Sequence, residues 1–316
     1  MPLLDQIQRW IKEPPPEYLF EVSEHGLAYL QTRDPSSLRV QLLEEKALAV
    51  SPSQPNFVRF DLLESALPKL GNGHGPQRRA KAALVIPDYA ARLSVLDFEE
   101  LPNDLEQLLA LIRFRLRKSV PFAIDEAQVS CSIQWSDPQQ KKLEVLAAAI
   151  ARPVLEEYET LLRGRGFQPG LVVPSSIAAL PLCSQPSRDR EGADVLQAGA
   201  LTLFAKLGGS VLSILLIENG LVRVVRCVDL SSEESRPEEE PAVITTLVQQ
   251  TLAFAEDELV RPVKRLLLCG FGSMIEELSP AFESEFGVSC EPLLSRRGRA
   301  SQQNAGLLGL AEQFTV

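Results

Sequence analysis

The chain has 316 residues, 45% of them hydrophobic, enough to bury roughly three quarters of its unfolded surface and to form two domains. A formal net charge of −10 argues against a nucleic-acid partner, which needs a concentrated positive surface. Five scattered cysteines without CxxC spacing read as reduced thiols of a cytosolic protein, and two histidines, His25 and His74, assemble neither a zinc site nor a Ser-His or Cys-His pair.

No apolar run reaches the roughly 18 residues that span a bilayer, and the amino terminus lacks a signal-peptide pattern, so a soluble cytoplasmic chain is expected. Pro2 to Glu13 predicts a short amphipathic helix with Leu3, Leu4, Ile7, Trp10 and Ile11 on one side, ended by Pro14-Pro15-Pro16 and docked on its own domain. Tyr18 to Leu30 alternates around a His25-Gly26 turn as a hairpin does. Ser37 to Leu42 and Lys46 to Val50 read as further strands, and Phe57 to Leu70 as a helix. Gly71 to Lys81 is a polar loop.

Ala82 to Ile86 and Ala91 to Phe98 are apolar strands separated by Pro87-Asp88. Asp104 is placed to cap a helix that runs to about Lys118, with Leu105, Leu108, Leu109, Ile112 and Leu116 as its apolar face and Arg113, Arg115 and Arg117 solvated. Glu126 to Trp135 alternates as a half-buried strand. Lys142 to Ile150 (strand), Val154 to Arg163 (helix), Gly170 to Val173 (strand) and Ile177 to Leu182 (helix) predict an α/β layer. Ser184 to Gly199 is a hydrophilic linker, and the best domain boundary by composition.

Leu201 to Arg226 holds three apolar runs split by Gly208-Gly209-Ser210 and by Asn219-Gly220, a β-meander. The Gly-Gly-Ser is either a tight turn or a loop whose bare N–H groups approach a phosphate. A second glycine element follows a buried strand at Gly270-Phe271-Gly272-Ser273, and two such elements suggest a shared cleft. Ser231 to Pro241 is a solvated acidic loop. Ala242 to Glu258, Met274 to Phe286 and Ala305 to Phe314 have helical spacing, Val263 to Cys269 and Val288 to Leu293 read as strands, and residues 295–304 form a basic loop.

In order and spacing, Pro87 to Trp135 with its Pro121-Phe122 corner, residues 164–180, the meander, LLLCGFGS and the carboxy-terminal AGLLGLA resemble the PilM family of type IV pilus assembly proteins. FtsA is a more distant relative. The resemblance covers the chain from about Tyr18 to its end. It implies an α/β, actin-like (ribonuclease H-like) two-domain fold with a small inserted subdomain. Its expected parts are an amino-terminal segment 1–16, a first domain 17–183 with an insert of about 84–141, a linker 184–199, a second domain 200–304, and a closing helix 305–316 that returns to the first.

The resemblance further implies ATP in the cleft, near Lys206, Gly208, Gly209, Ser210, Gly270, Gly272 and Ser273, and a PilN-like membrane-protein peptide in a groove near Arg92, Leu93, Val95, Arg113, Phe114 and Phe122. It places the protein on the cytoplasmic face of the inner membrane, held there through partners that include other pilus assembly proteins. This sequence departs from the family at the nucleotide site. Glu21 to Gly26 lacks the first hairpin's glycines and lysine, and Lys206-Leu207-Gly208 stands where the family has Asp-x-Gly. A carboxylate about 4 Å from a phosphate charge, at an effective dielectric near 20, costs about 4 kcal/mol. An ammonium cannot hold Mg²⁺, although it can neutralise an anion. The expectation is a scaffold with little or no ATP hydrolysis, no catalytic residue and no metal site. The alternatives are a nucleotide-binding ATPase of the PilM or FtsA type and a type II secretion component resembling GspL.

Overall fold

A computed structural model describes residues 14–70, 80–137, 142–184, 200–231 and 240–314. The expected Pro2 to Glu13 helix, His74, nearly all of the 184–199 linker and most of the loops at 71–81 and 231–241 lie outside these residues.

The chain opens with β1 (Tyr18–Ser23), β2 (Gly26–Gln31), β3 (Asp34–Leu42), helix α1 (Phe60–Leu70) and β4 (Ala80–Ile86). A 3-10 turn at Asp88–Ala90 leads to β5 (Arg92–Phe98), α2 (Leu105–Leu116), β6 (Gln128–Asp137) and β7 (Lys142–Ile150). Then come α3 (Arg152–Arg163), β8 (Phe167–Pro174) and two single-turn helices, α4 (Ser175–Ala178) and α5 (Leu180–Cys183). Strands β1 to β4 and β8 form one sheet in the order β3-β2-β1-β4-β8, with β1, β4 and β8 mutually parallel.

Alternation along each strand sends side chains to opposite faces of this sheet, and both faces are covered. Phe20, Val22, Leu84 and Ile86 meet Leu63 and Leu67 of α1 and Val154, Tyr158 and Leu162 of α3. Leu19, Leu30, Ala83 and Val85 meet Ala178 and the carboxy-terminal helix. That double burial is why β1 and β4 read as nearly unbroken apolar runs.

The second half repeats the pattern with β9 (Leu201–Gly208), β10 (Val211–Glu218), β11 (Leu221–Asp229), α6 (Glu240–Asp257), β12 (Val263–Cys269), α7 (Met274–Phe286) and β13 (Ser289–Pro292). Its sheet order, β11-β10-β9-β12-β13, matches that of the first half. A small hairpin, β14 (Leu294–Ser295) and β15 (Gly298–Arg299), occupies part of the expected basic loop, and α8 (Ala305–Phe314) closes the chain against α4 and β1. Phe204 and Leu215 on the inner face of the second sheet pack with Leu180, Leu182 and Leu308, which joins the halves through an apolar layer.

Several boundaries differ from those expected. The insert is the antiparallel sheet β5-β7-β6 with α2, residues 92–150, because β4 belongs to the first sheet and β7 pairs only with β5 and β6. The apolar character of β4 and β7 is the same, and only pairing separates them. Lys46 to Val50 is not a strand: a single bridge joins Leu48 to Phe57, and its buried residues Ala47 and Leu48 are absorbed by the core under α1. The expected helix at Ile177 to Leu182 is two turns, since Pro181 cannot continue α4 and instead sits in the first turn of α5. Asp104 caps α2, its carboxylate accepting from Gln107 N–H at 3.0 Å.

Between α6 and β12, Val260 has a φ of 51° and is 80% exposed. A β-branched residue in the left-handed region carries strain of about 1 kcal/mol with no burial to offset it. Val260→Gly is expected to raise the stability by roughly 0.5–1 kcal/mol in chemical denaturation; a loss of that size would show that the valine makes contacts worth more than its strain.

Candidate functional site

Two tight turns, one from each half, face each other. In the β1–β2 turn Glu24 is buried and His25 is exposed. Across the gap, the β9–β10 turn carries Gly209 at φ 63°, and the Ser210 N–H donates to Glu24 Oε1 at 3.3 Å. A Cβ on Gly209 would lie 2.2 Å from the Glu24 carboxylate, so glycine supplies both the turn and the room for that side chain. Gln302 Oε1 accepts from Gly209 N–H at 3.2 Å, and Lys46 Nζ lies 2.6 Å from Glu24 Oε2. The bare N–H groups of this turn are therefore engaged by side chains of the chain itself.

Beneath the turns lies a charged cluster. Lys206 of β9 and Asp88 of the 3-10 turn are each about 3% exposed at the side chain, with Nζ 3.3 Å from Oδ2. Asp88 also accepts from Ser213 Oγ at 2.9 Å and from Ser176 N–H at 2.7 Å. Glu21 of β1, 1% exposed, accepts from Ser175 Oγ at 2.5 Å and from Leu307 N–H at 2.8 Å. Buried charges persist only when paired and hydrogen-bonded, and these partners meet that need.

Burial works against the Lys206 ammonium, but the Asp88 and Glu21 carboxylates outweigh it and raise its pKa above the ordinary lysine value of 10.5. Burial raises Glu21 above 4.5, opposed by Lys206 and by the Ser175 and Leu307 hydrogen bonds. Burial also pushes the Cys227 and Cys269 thiols near the cluster up to about 12, leaving them neutral and poorly nucleophilic. Among the described residues, no group of three or more His, Cys, Asp or Glu is arranged to hold a metal ion. The space bounded by Glu21, Glu24, Asp88, Lys206, Gly208 and Gln302 amounts to about 20 Å³. That is room for about one water molecule.

No family model matches the chain, and no curated protein matches it in sequence. Among solved structures, a PilM-PilN type IV pilus biogenesis complex superposes at a TM-score of 0.74 with 16% identity, covering 96% of this chain and 100% of that one. The fold is that of the actin-like ATPases. A Bacteroides thetaiotaomicron protein of unknown function with the actin-like ATPase fold matches at 0.50 and 13% identity over 96% and 97% of the two chains. The cytoplasmic domain of Vibrio cholerae EpsL, a type II secretion component, reaches only 0.42 at 12% identity over 80% of each chain, too low to bear on this protein.

Within the actin-like fold, the facing turns and Lys206 lie between the two halves. The structure brings Lys206, Gly208, Gly209 and Ser210 together there. Gly270 has a packing role, since a Cβ on it would meet the Leu207 carbonyl oxygen at 1.9 Å, while Gly272 and Ser273 are exposed at the start of α7. The six residues expected to line a peptide groove are all half-buried or exposed. Val95 packs toward Val225 of the second half, and Phe122 is wedged between the first-half core and the insert core. Arg92 stacks on Tyr89 at 4.6 Å, and Phe114 on α2 is 70% exposed. Sequence reasoning missed Asp88, Ser175, Ser213 and Gln302. The only local sign was an Asp directly after the Pro that ends a buried strand, which reads equally well as a turn.

Lys206→Met removes one partner of a buried pair and is expected to cost about 3–5 kcal/mol in urea denaturation. Because the folded pKa of Lys206 is raised, its contribution is complete below pH 10.5 and is lost as pH rises through the higher folded value. The gap between parent and variant is therefore constant up to pH 10.5 and narrows above it. Equal stability at neutral pH would show that the pair contributes nothing.

Proposed function

We propose that this chain is a non-hydrolysing actin-like scaffold of a type IV pilus inner-membrane assembly complex. It works at the cytoplasmic face and binds the cytoplasmic amino-terminal peptide of a PilN-like membrane protein, with other pilus assembly proteins as further partners. The observation that carries this reading is the buried Lys206–Asp88 pair, 3.3 Å apart, where the resemblance puts a metal-associated carboxylate. Magnesium demands oxygen ligands and its own waters, and an ammonium excludes both. Glu24 already takes the Ser210 N–H that a phosphate would need, and the remaining 20 Å³ admits a water rather than a triphosphate. These residues do not fit magnesium-ATP, and no phosphoryl-transfer step is assigned.

The likeness to the PilM-PilN complex over the full length of that chain supports a PilN-like partner. Among the described residues no helix is long and apolar enough to cross a membrane. The exposed Phe114, in the last turn of α2, offers an apolar anchor for a peptide.

Magnesium-ATP is expected to leave the melting temperature unchanged and to release no phosphate, while a synthetic peptide of a PilN-like cytoplasmic amino terminus raises it. Magnesium-dependent ATP turnover that a Lys206 substitution abolishes would refute the scaffold reading. Phe114→Ala is expected to weaken peptide binding by about tenfold in titration calorimetry at unchanged melting temperature, because the ring is exposed; equal affinity would move the peptide site off α2.

A further inference from the structure

The three-stranded sheet of the insert has two faces. One, with Val129, Val145 and Ala147, is covered by α2. The other carries Val95 and Leu146, which pack with Val222 and Val225 of β11. The insert is joined by chain only to the first half, between β4 and α3. This contact therefore ties the two halves together a second time, away from the facing turns.

Two local irregularities meet at that contact. β6 steps out of register with β7 between Ile133 and Trp135, and β11 steps out of register with β10 between Val222 and Val224. A bulge releases one residue from its ladder and re-aims its side chain. The released residues are Gln134 and Arg223. Gln134, 2% exposed, accepts from Val222 N–H at 2.8 Å. The Arg223 guanidinium donates to Glu144 Oε1 at 3.0 Å, pairs with Glu218 and lies 4.9 Å from the centre of the Trp135 ring. Arg261 reaches Glu218 at 3.0 Å, and Lys142 reaches Glu144 at 3.4 Å. Each bulge gives up ladder bonds within its own sheet, and the two occur where their freed side chains bridge the sheets.

We propose that the insert is a strap that holds the two halves closed without a ligand between them, with Gln134 and Arg223 as its fastening. Two bodies joined along one seam rotate about it by default, and a second attachment built from buried polar bonds over an apolar floor removes that rotation. The inference is independent of whether the cleft takes a nucleotide.

Hydrogen exchange of the full chain tests it, read at the Ser210 amide, which bonds to Glu24 across the cleft. In Arg223→Ala, Ser210 is expected to exchange about tenfold faster while the central amides of β1 keep their parental rates, and Arg223→Lys falls between parent and alanine. If Arg223→Ala does not fold, Gln134→Ala, which removes the bond from Val222 N–H across the contact and a local one to Ser132, is read in the same way with an expected rise of about threefold. An unchanged Ser210 rate in a folded variant overturns the proposal, as does an equal rise at Ser210 and in β1, which would make the contact a contributor to global stability and nothing more.

Discussion

An ammonium buried to 3% exposure is tolerable only beside carboxylates that are themselves fully hydrogen-bonded, and Lys206 is the point at which this chain meets that condition. Its partners come from distant parts of the sequence: Asp88 from the end of β4, Glu21 from β1, and the donors to those carboxylates from Ser175, Ser176, Ser213 and Leu307. First sheet, second sheet, α4 and α8 must all be in place before the charge is matched. The cluster therefore couples the two halves, and the loss of one member leaves the others buried and uncompensated.

The same logic extends outward. Glu24 answers the Ser210 N–H of the opposing turn and is itself matched by Lys46, while Gln302 answers Gly209. The N–H groups of the opposing turn are thus bonded by side chains of the chain itself.

The two five-stranded sheets share one strand order, and β1 and β9 occupy equivalent central positions. Glu21 and Lys206, four and six residues into β1 and β9, place opposite charges on the two central strands. The pairing of Lys206 with Asp88 between the sheets, beside the hydrogen-bonded Glu21, is what distinguishes this interior from an apolar one.

Most of the elements were legible in the sequence because their patterns are local. Asn219-Gly220 marks a hairpin, Asp104 caps α2, and the period of α3 follows from Val154, Tyr158, Leu161 and Leu162. That Lys206 stands where the PilM family has an acid, and that Glu21 and Glu24 occupy the first turn, is implied by the resemblance and not by local pattern. Pattern does not say which sheet a strand joins, so a boundary of about 84–141 cuts through β4 and leaves β7 out of the insert. Nor could it reveal that Asp88, 118 residues from Lys206, would neutralise it, or that Gln134 and Val222, 88 apart, would meet. Periodicity and turn chemistry depend on neighbours in the chain. Charge compensation and strand pairing depend on distances through space, which only the tertiary structure decides.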